Sequence, residues 1–211
     1  MTAAHGRFIT LEGIDGAGKS THHAWLAERI AVRGHNVVAT REPGGTRMGE
    51  KLREMLLREP MTRDSEALLM FASRREHLET VIRPALARGD WVLCDRFTDA
   101  TYAYQGGGHG VPLARIRELE QWIGADTRPD RTFLFDVAPR ISRDRLARAE
   151  SAGRNLDRFE LEAEGFFVRV RDAYLDRAAA EPGRFRVIDS SRSMEEVRRS
   201  LYTELDAMES D

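Results

Sequence analysis

The chain has 211 residues, with 33 basic and 35 acidic side chains, a net charge of −2 and 41% hydrophobic residues. That balance excludes a polybasic nucleic-acid coat or membrane-surface protein, and the apolar fraction suffices to fill the core of one domain. The single cysteine, Cys94, excludes an internal disulfide and fits a reducing compartment.

Short β-rich runs alternate with longer helical patterns along the chain. Residues 7–11 (RFITL) read as a strand, 19–33 as a helix, and 36–40 (NVVAT) as a second strand. Helices are expected over 48–57 and 65–87, then a strand over 91–95 (WVLCD), a helix over 112–123 and a strand over 131–137 (RTFLFDV). Helical patterns at 139–149 and 160–180 precede a last strand, 184–189 (RFRVID). The closing helix carries Met194, Val197, Leu201, Leu205 and Met208, whose spacing traces one face. Apolar strands alternating with helices predict a five-stranded parallel α/β sheet covered on both sides. No repeat, linker or basic-then-apolar leader interrupts this pattern, and no apolar run approaches the ~18 residues of a membrane span. The expectation is one cytoplasmic domain over residues 1–211.

The segment Gly13-Ile14-Asp15-Gly16-Ala17-Gly18-Lys19-Ser20, followed by Thr21, fits G-x-x-x-x-G-K-[ST] between a strand and a helix. Glycines there let backbone N–H groups turn toward phosphate, and the helix N-terminus adds positive partial charge. Lys19 is expected to reach the β- and γ-phosphates, and the Ser20 hydroxyl to ligate Mg²⁺. The chain has 31 arginines and only two lysines, Lys19 and Lys51, so a lysine kept at this point suggests a role that a guanidinium cannot fill. A phosphate-binding loop alone does not separate a kinase from a GTPase or a motor ATPase. Asp95 and Arg96 end a parallel strand, where ligands of open α/β sheets sit. Asp95 could hold Mg²⁺ directly or through water, and Arg96 could bridge donor and acceptor phosphates.

Taken together, the motifs F-I-T-L-E-G-I-D-G-A-G-K-S-T (8–21), T-R-E-P-G-G-T (40–46), L-M-F-A-S-R-R (69–75), D-R-F (95–97), A-Y-Q-G-G-G (103–108), L-D-R-F-E (156–160) and F-F-V-R-V-R (166–171) resemble the thymidylate kinase family over essentially the whole chain. The resemblance implies a P-loop NTPase fold with a lid, transfer of a phosphoryl group from Mg²⁺-ATP to dTMP for dTTP synthesis, and a homodimer with no nucleic-acid or membrane partner. It implies that Phe71 stacks on thymine and that Arg75, four residues on, donates to O4, which would disfavour cytosine. Read without the family, Phe71 is a core residue and Arg75 a solvated one. By the same resemblance Asp15 meets the sugar 3′-OH, Glu42 and Pro43 line the acceptor pocket, Thr101 and Gln105 lie beside the base, and Tyr104 crowds the 2′ position. Tyr104 as packing and Gly106 to Gly108 as a flexible turn stand as alternatives. One form of the family carries an arginine directly after the loop aspartate. Here that residue is Gly16, so the positive charge is expected from a lid over about 143–158. Of its arginines 143, 145, 148, 154 and 158, the expectation falls on Arg154 and Arg158.

Overall fold

The computed structural model describes residues 6–124 and 126–210. Its five strands are β1 (Phe8–Glu12), β2 (Val37–Arg41), β3 (Trp91–Asp95), β4 (Arg131–Asp136) and β5 (Phe185–Asp189). All neighbouring pairs are parallel, in the order β2-β3-β1-β4-β5. Parallel strands need crossovers, and the helical segments supply them: α1 (Lys19–Val32), α2 (Arg47–Arg58), α3 (Arg63–His77), α4 (Arg83–Ala87), α5 (Thr98–Thr101), α6 (Leu113–Gly124), α7 (Pro139–Ser151), α8 (Glu164–Ala180) and α9 (Met194–Ser210). No described helix is long and apolar enough to cross a membrane.

Every residue of β1 is buried, as expected for a strand covered on both faces. Its side chains divide by alternation. Ile9 and Leu11 join Leu26 and Ile30 of α1 in one apolar cluster, while Phe8 packs with Val92, Cys94, Phe71 and Leu78 in another. The edge strand β5 buries only Phe185 and Ile188 and leaves Arg186, Val187 and Asp189 partly or largely exposed.

The strand order reverses across β1, which pairs with β3 on one side and β4 on the other. That is the topological switch point, and a ligand crevice opens at the carboxyl ends of the strands there. Register fixes what meets in the crevice. Leu11 stands opposite Asp95, and Arg41 also stands opposite Asp95, so the segments after β1, β2 and β3 emerge at one level.

Two stretches differ from the sequence expectation. The single helix expected over 65–87 is α3 and α4 joined by a π-helical turn, Leu78–Ile82. Pro84, just after that turn, lacks the N–H that a continuous α-helix would use. Gly106 to Gly108, where the sequence leaves a flexible turn as an alternative, close a π-helical segment, Tyr102–Gly108, that follows α5. Glycine there serves close packing against α8. A Cβ on Gly107 would lie 2.6 Å from Ala173 Cβ and 3.0 Å from the Arg169 carbonyl.

Candidate active site

The loop after β1 folds as its composition dictates. Gly13 has φ 134°, and a Cβ there would sit 2.4 Å from the Phe135 carbonyl, so no other residue fits. Gly18 caps α1 in the left-handed region without any side-chain cap, which leaves the first N–H groups of α1 open to an anion. The loop's own carbonyls are held from outside. Ser142 of α7 donates to the Asp15 carbonyl, Arg145 Nη1 to that of Gly16 (3.2 Å) and Ser190 to that of Ala17. Gly13 through Thr21 thus form a braced loop, with the Ser20 and Thr21 side chains exposed at its mouth.

Lys19 is buried, and its Nζ donates to the carbonyls of Gly13 (3.0 Å) and Ile14 (3.1 Å). Burial, reinforced by the Arg96 charge, lowers its pKa to about 8. Arg96 is the one non-glycine residue with positive φ (70°) among the described residues. That turn aims its guanidinium back across the sheet end. It donates to Gly13 O (2.9 Å), Tyr174 OH (3.1 Å), Asp15 Oδ1 (2.6 Å) and Tyr104 OH (2.9 Å). Tyr104 in turn donates to Asp15 Oδ2 (2.7 Å). Burial alone would raise the Asp15 pKa, but the Arg96 and Lys19 charges outweigh it and hold the carboxyl below its usual range.

Two cavities adjoin at this centre. One is lined by Gly16, Gly18, Lys19, Ser20, Thr21, Asp95, Arg145 and Arg154; the other by Pro43, Met70, Arg74, Phe97, Thr101 and Gln105. Asp15, Glu42, Arg53, Arg96 and Asp157 line both, and Tyr104 the second. The geometry therefore brings Asp15, Gly16, Gly18, Lys19, Ser20, Thr21, Asp95, Arg96, Glu42, Pro43, Thr101, Tyr104, Gln105 and Arg154 to one cleft, whereas Gly13, Ile14 and Ala17 line neither cavity, Ile14 and Ala17 being packed in the core.

Three further expected residues sit elsewhere. Phe71 is core, 2% exposed, and lines neither cavity. Arg75 turns outward, pairing with Glu79 (3.0 Å) and donating to Ile123 O. The cavity side of α3 instead carries Met70 and Arg74, the same i, i+4 spacing shifted by one residue. The reason is helical phase. Ala67, Phe71 and Arg74 belong to the buried side, and one step of about 100° carries residue 75 off it. Arg74 is anchored from another element: its Nε donates to Glu42 Oε2 (2.7 Å), and Nη2 to Phe97 O (3.1 Å) and Thr101 Oγ1 (3.0 Å). Its Nη1 is buried and has no partner among the described residues.

Arg158 is the third. It pairs with buried Glu66 (2.6 Å), donates to Leu56 O, and lines neither cavity. Its partner is a carboxylate buried inside the protein, which claims the guanidinium. Sequence reasoning missed Arg53, which donates to Pro43 O (2.9 Å) and borders both cavities. It also passed over Arg145 among the lid arginines, and Asp157. Glu42 was the available signal for Arg74, since a buried carboxylate requires a cationic partner.

The oxygen ligands of a hard divalent cation are at hand. Asp95 Oδ1 is buried without a hydrogen-bond partner, and the Ser20 hydroxyl lines the same cavity. Among the described residues no cluster of three or more His, Cys, Asp or Glu suits a transition metal.

The family model "Thymidylate kinase" matches residues 11–201. The thymidylate kinase of Bordetella petrii is 62% identical over 205 residues, covering 97% of each chain. That of Burkholderia cenocepacia is 56% identical over 209 residues, covering 97% of this chain and all of its own. The crystal structure of thymidylate kinase from Ehrlichia chaffeensis superposes with a TM-score of 0.71 at 33% identity, covering 94% of this chain and 98% of that one. With nearly full-length matches in sequence and in structure, the chain belongs to the thymidylate kinase family.

Proposed function

We propose that this chain transfers the γ-phosphoryl group of ATP to dTMP, giving ADP and dTDP for dTTP synthesis. The observation that carries the reading is the buried, unpartnered Arg74 Nη1 beside the Met70 and Gln105 cavity. A donor left unsatisfied in a buried site favours a ligand carbonyl, and thymine offers O4. Met70 supplies a polarisable apolar face for the ring. Asp15 accepts from the sugar 3′-OH, and Tyr104, held against Asp15, fills the space of a 2′-OH.

Phosphoryl transfer passes through a loose transition state, so positioning and charge neutralisation carry the catalysis. The loop amides and Lys19 take the donor phosphates, Lys19 exchanging its two carbonyl partners for phosphate oxygens. Arg96 spans both cavities and clamps donor and acceptor phosphates, with Arg53 on the acceptor side. Mg²⁺ held by Ser20 and Asp95, directly or through water, would neutralise charge on the β- and γ-oxygens. Arg145 and Arg154 belong to the lid over about 143–158 and border the phosphates from above. We read residues 1–211 as a single cytoplasmic domain. The exposed side chains Leu68 on α3 and Trp122 on α6 favour a homodimer.

An acceptor panel with coupled ADP detection tests the activity. ADP formation should depend on dTMP. Clear preference for dCMP or thymidine, or slow hydrolysis indifferent to dTMP, would overturn the reading.

A further inference from the structure

Glu66 lies outside both cavities and is 1% exposed on α3. Its Oε1 accepts from Gln105 Nε2 (2.7 Å) and faces the His109 ring nitrogen (2.9 Å), while Oε2 pairs with Arg158 (2.6 Å). Gln105 lines the acceptor cavity, and no described group donates to its Oε1. We propose that Glu66 is a specificity-positioning residue: its carboxylate holds the Gln105 amide with the NH₂ turned away from the cavity, so that the carbonyl oxygen faces the base.

The argument is one of donor and acceptor inventory. A primary amide can point either way, and only its partners decide. An ionised carboxylate accepts and never donates, so it tolerates the NH₂ and repels the amide oxygen. Glu66 remains ionised although burial would raise its pKa, because the hydrogen bonds from His109, Gln105 and Arg158 lower it further than burial raises it. The cavity then presents two groups near the base, a guanidinium N–H from Arg74 and a carbonyl oxygen from Gln105. Thymine and uracil match that pair with O4 and N3–H. Cytosine carries an amino group and a bare ring nitrogen at those places, meeting donor with donor and acceptor with acceptor. The inference rests on the acceptor cavity receiving a pyrimidine nucleotide.

The test is Glu66→Gln, which keeps the shape and lets residue 105 adopt either orientation. KM for dTMP and dUMP and the inhibition constant of dCMP are measured against wild type. The preference for dTMP over dCMP should fall at least tenfold, while the dTMP-to-dUMP ratio, set by the methyl group, moves less than twofold. In a Gln105→Met background, the same Glu66→Gln change should add no further loss of discrimination. Equal weakening of all three nucleotides, or losses that multiply in the double variant, would overturn the proposal, because a merely structural carboxylate gives that result. Should Glu66→Gln fail to fold, the wild-type complex decides by NMR. A slowly exchanging dTMP imino proton with no cross-peak from the Gln105 NH₂ to the ring supports the proposal, and such a cross-peak overturns it. A wild-type chain that phosphorylates neither dTMP nor dUMP would overturn the kinase reading as well.

Discussion

At the scale of single residues, Arg74 and Arg75 show how one helical step separates two fates. Arg74 is 2% exposed and pairs with Glu42, itself 4% exposed; replacing it with alanine removes the guanidinium from a buried carboxylate that keeps, among the described residues, only the His77 ring nitrogen (3.0 Å) as a side-chain partner. Arg74→Ala should lower unfolding free energy by ~3–5 kcal/mol in denaturant titrations, whereas Arg75→Ala should stay within ~0.5 kcal/mol of wild type. Lys19 makes a prediction in pH. The protonated amine binds phosphate, and in the free protein it loses its proton near pH 8 because burial disfavours the charge. The profile of kcat/KM for ATP should therefore fall above about pH 8, and that of kcat at a higher pH, since bound phosphate restores the proton's hold. Stability runs the other way. The unfolded lysine keeps its proton up to about 10.5, so between about 8 and 10.5 the unfolded chain binds more protons and folding stability rises with pH. Thermal melts of Lys19→Met should lack that rise.

At the scale of elements, the π-helical segment Tyr102–Gly108 places Tyr104 and Gln105 against the acceptor cavity, and its glycines let α8 approach. Gly107→Ala would drive a methyl into Ala173 and the Arg169 backbone, neither of which is a flexible side-chain end. It should destabilise the protein by about 1–3 kcal/mol and raise KM for dTMP, while Gly183→Ala, with open space around it, should do neither. Denaturation curves with dTMP kinetics on both variants check this. The same segment marks the limit of what sequence conveys. The phosphate loop is legible because its chemistry is contiguous, and β1, β3 and β4 because burial on both faces writes apolar runs. The π-helical segment is not, since its shape follows from contact with a helix some sixty residues away. The α3 pair was legible only to within one residue. Both 70/74 and 71/75 satisfy i, i+4, and the deciding partner, Glu42, follows another strand. Arg53 and Arg145 were hidden by abundance, in a chain where arginine is the default cation.

At the scale of the whole molecule, the net charge of −2 does not conceal a strongly basic cleft. The phosphate-side cavity is lined by six cations (Lys19, Arg41, Arg53, Arg96, Arg145, Arg154) and five carboxylates (Asp15, Glu42, Asp95, Asp157, Glu160), a difference of only +1. Guanidinium groups in a closed cleft require partners before a ligand arrives, and here several have them: Arg96 with Asp15, Arg154 with Glu160, Arg41 with Glu50. Phosphate binding is then an exchange of partners. Exchange is cheapest at Arg41, whose pair with Glu50 is exposed on both sides, because exposed pairs contribute only ~0–1 kcal/mol. It is costliest at Arg96, which is fixed by four hydrogen bonds and so serves as the rigid clamp. A nearly balanced cleft on a nearly neutral protein exerts little long-range pull on ATP. Between about 50 and 300 mM salt, kcat/KM for ATP should fall by less than ~threefold, because short contacts inside the cleft are screened far less than steering across several Debye lengths. Glu160→Gln frees Arg154 and adds one unit of positive charge at the mouth, so its rate at low salt should rise and its salt dependence steepen. Initial rates across that salt range decide the matter: a tenfold loss in wild type, or identical slopes for wild type and variant, would show that the carboxylates do not offset the arginines in this way.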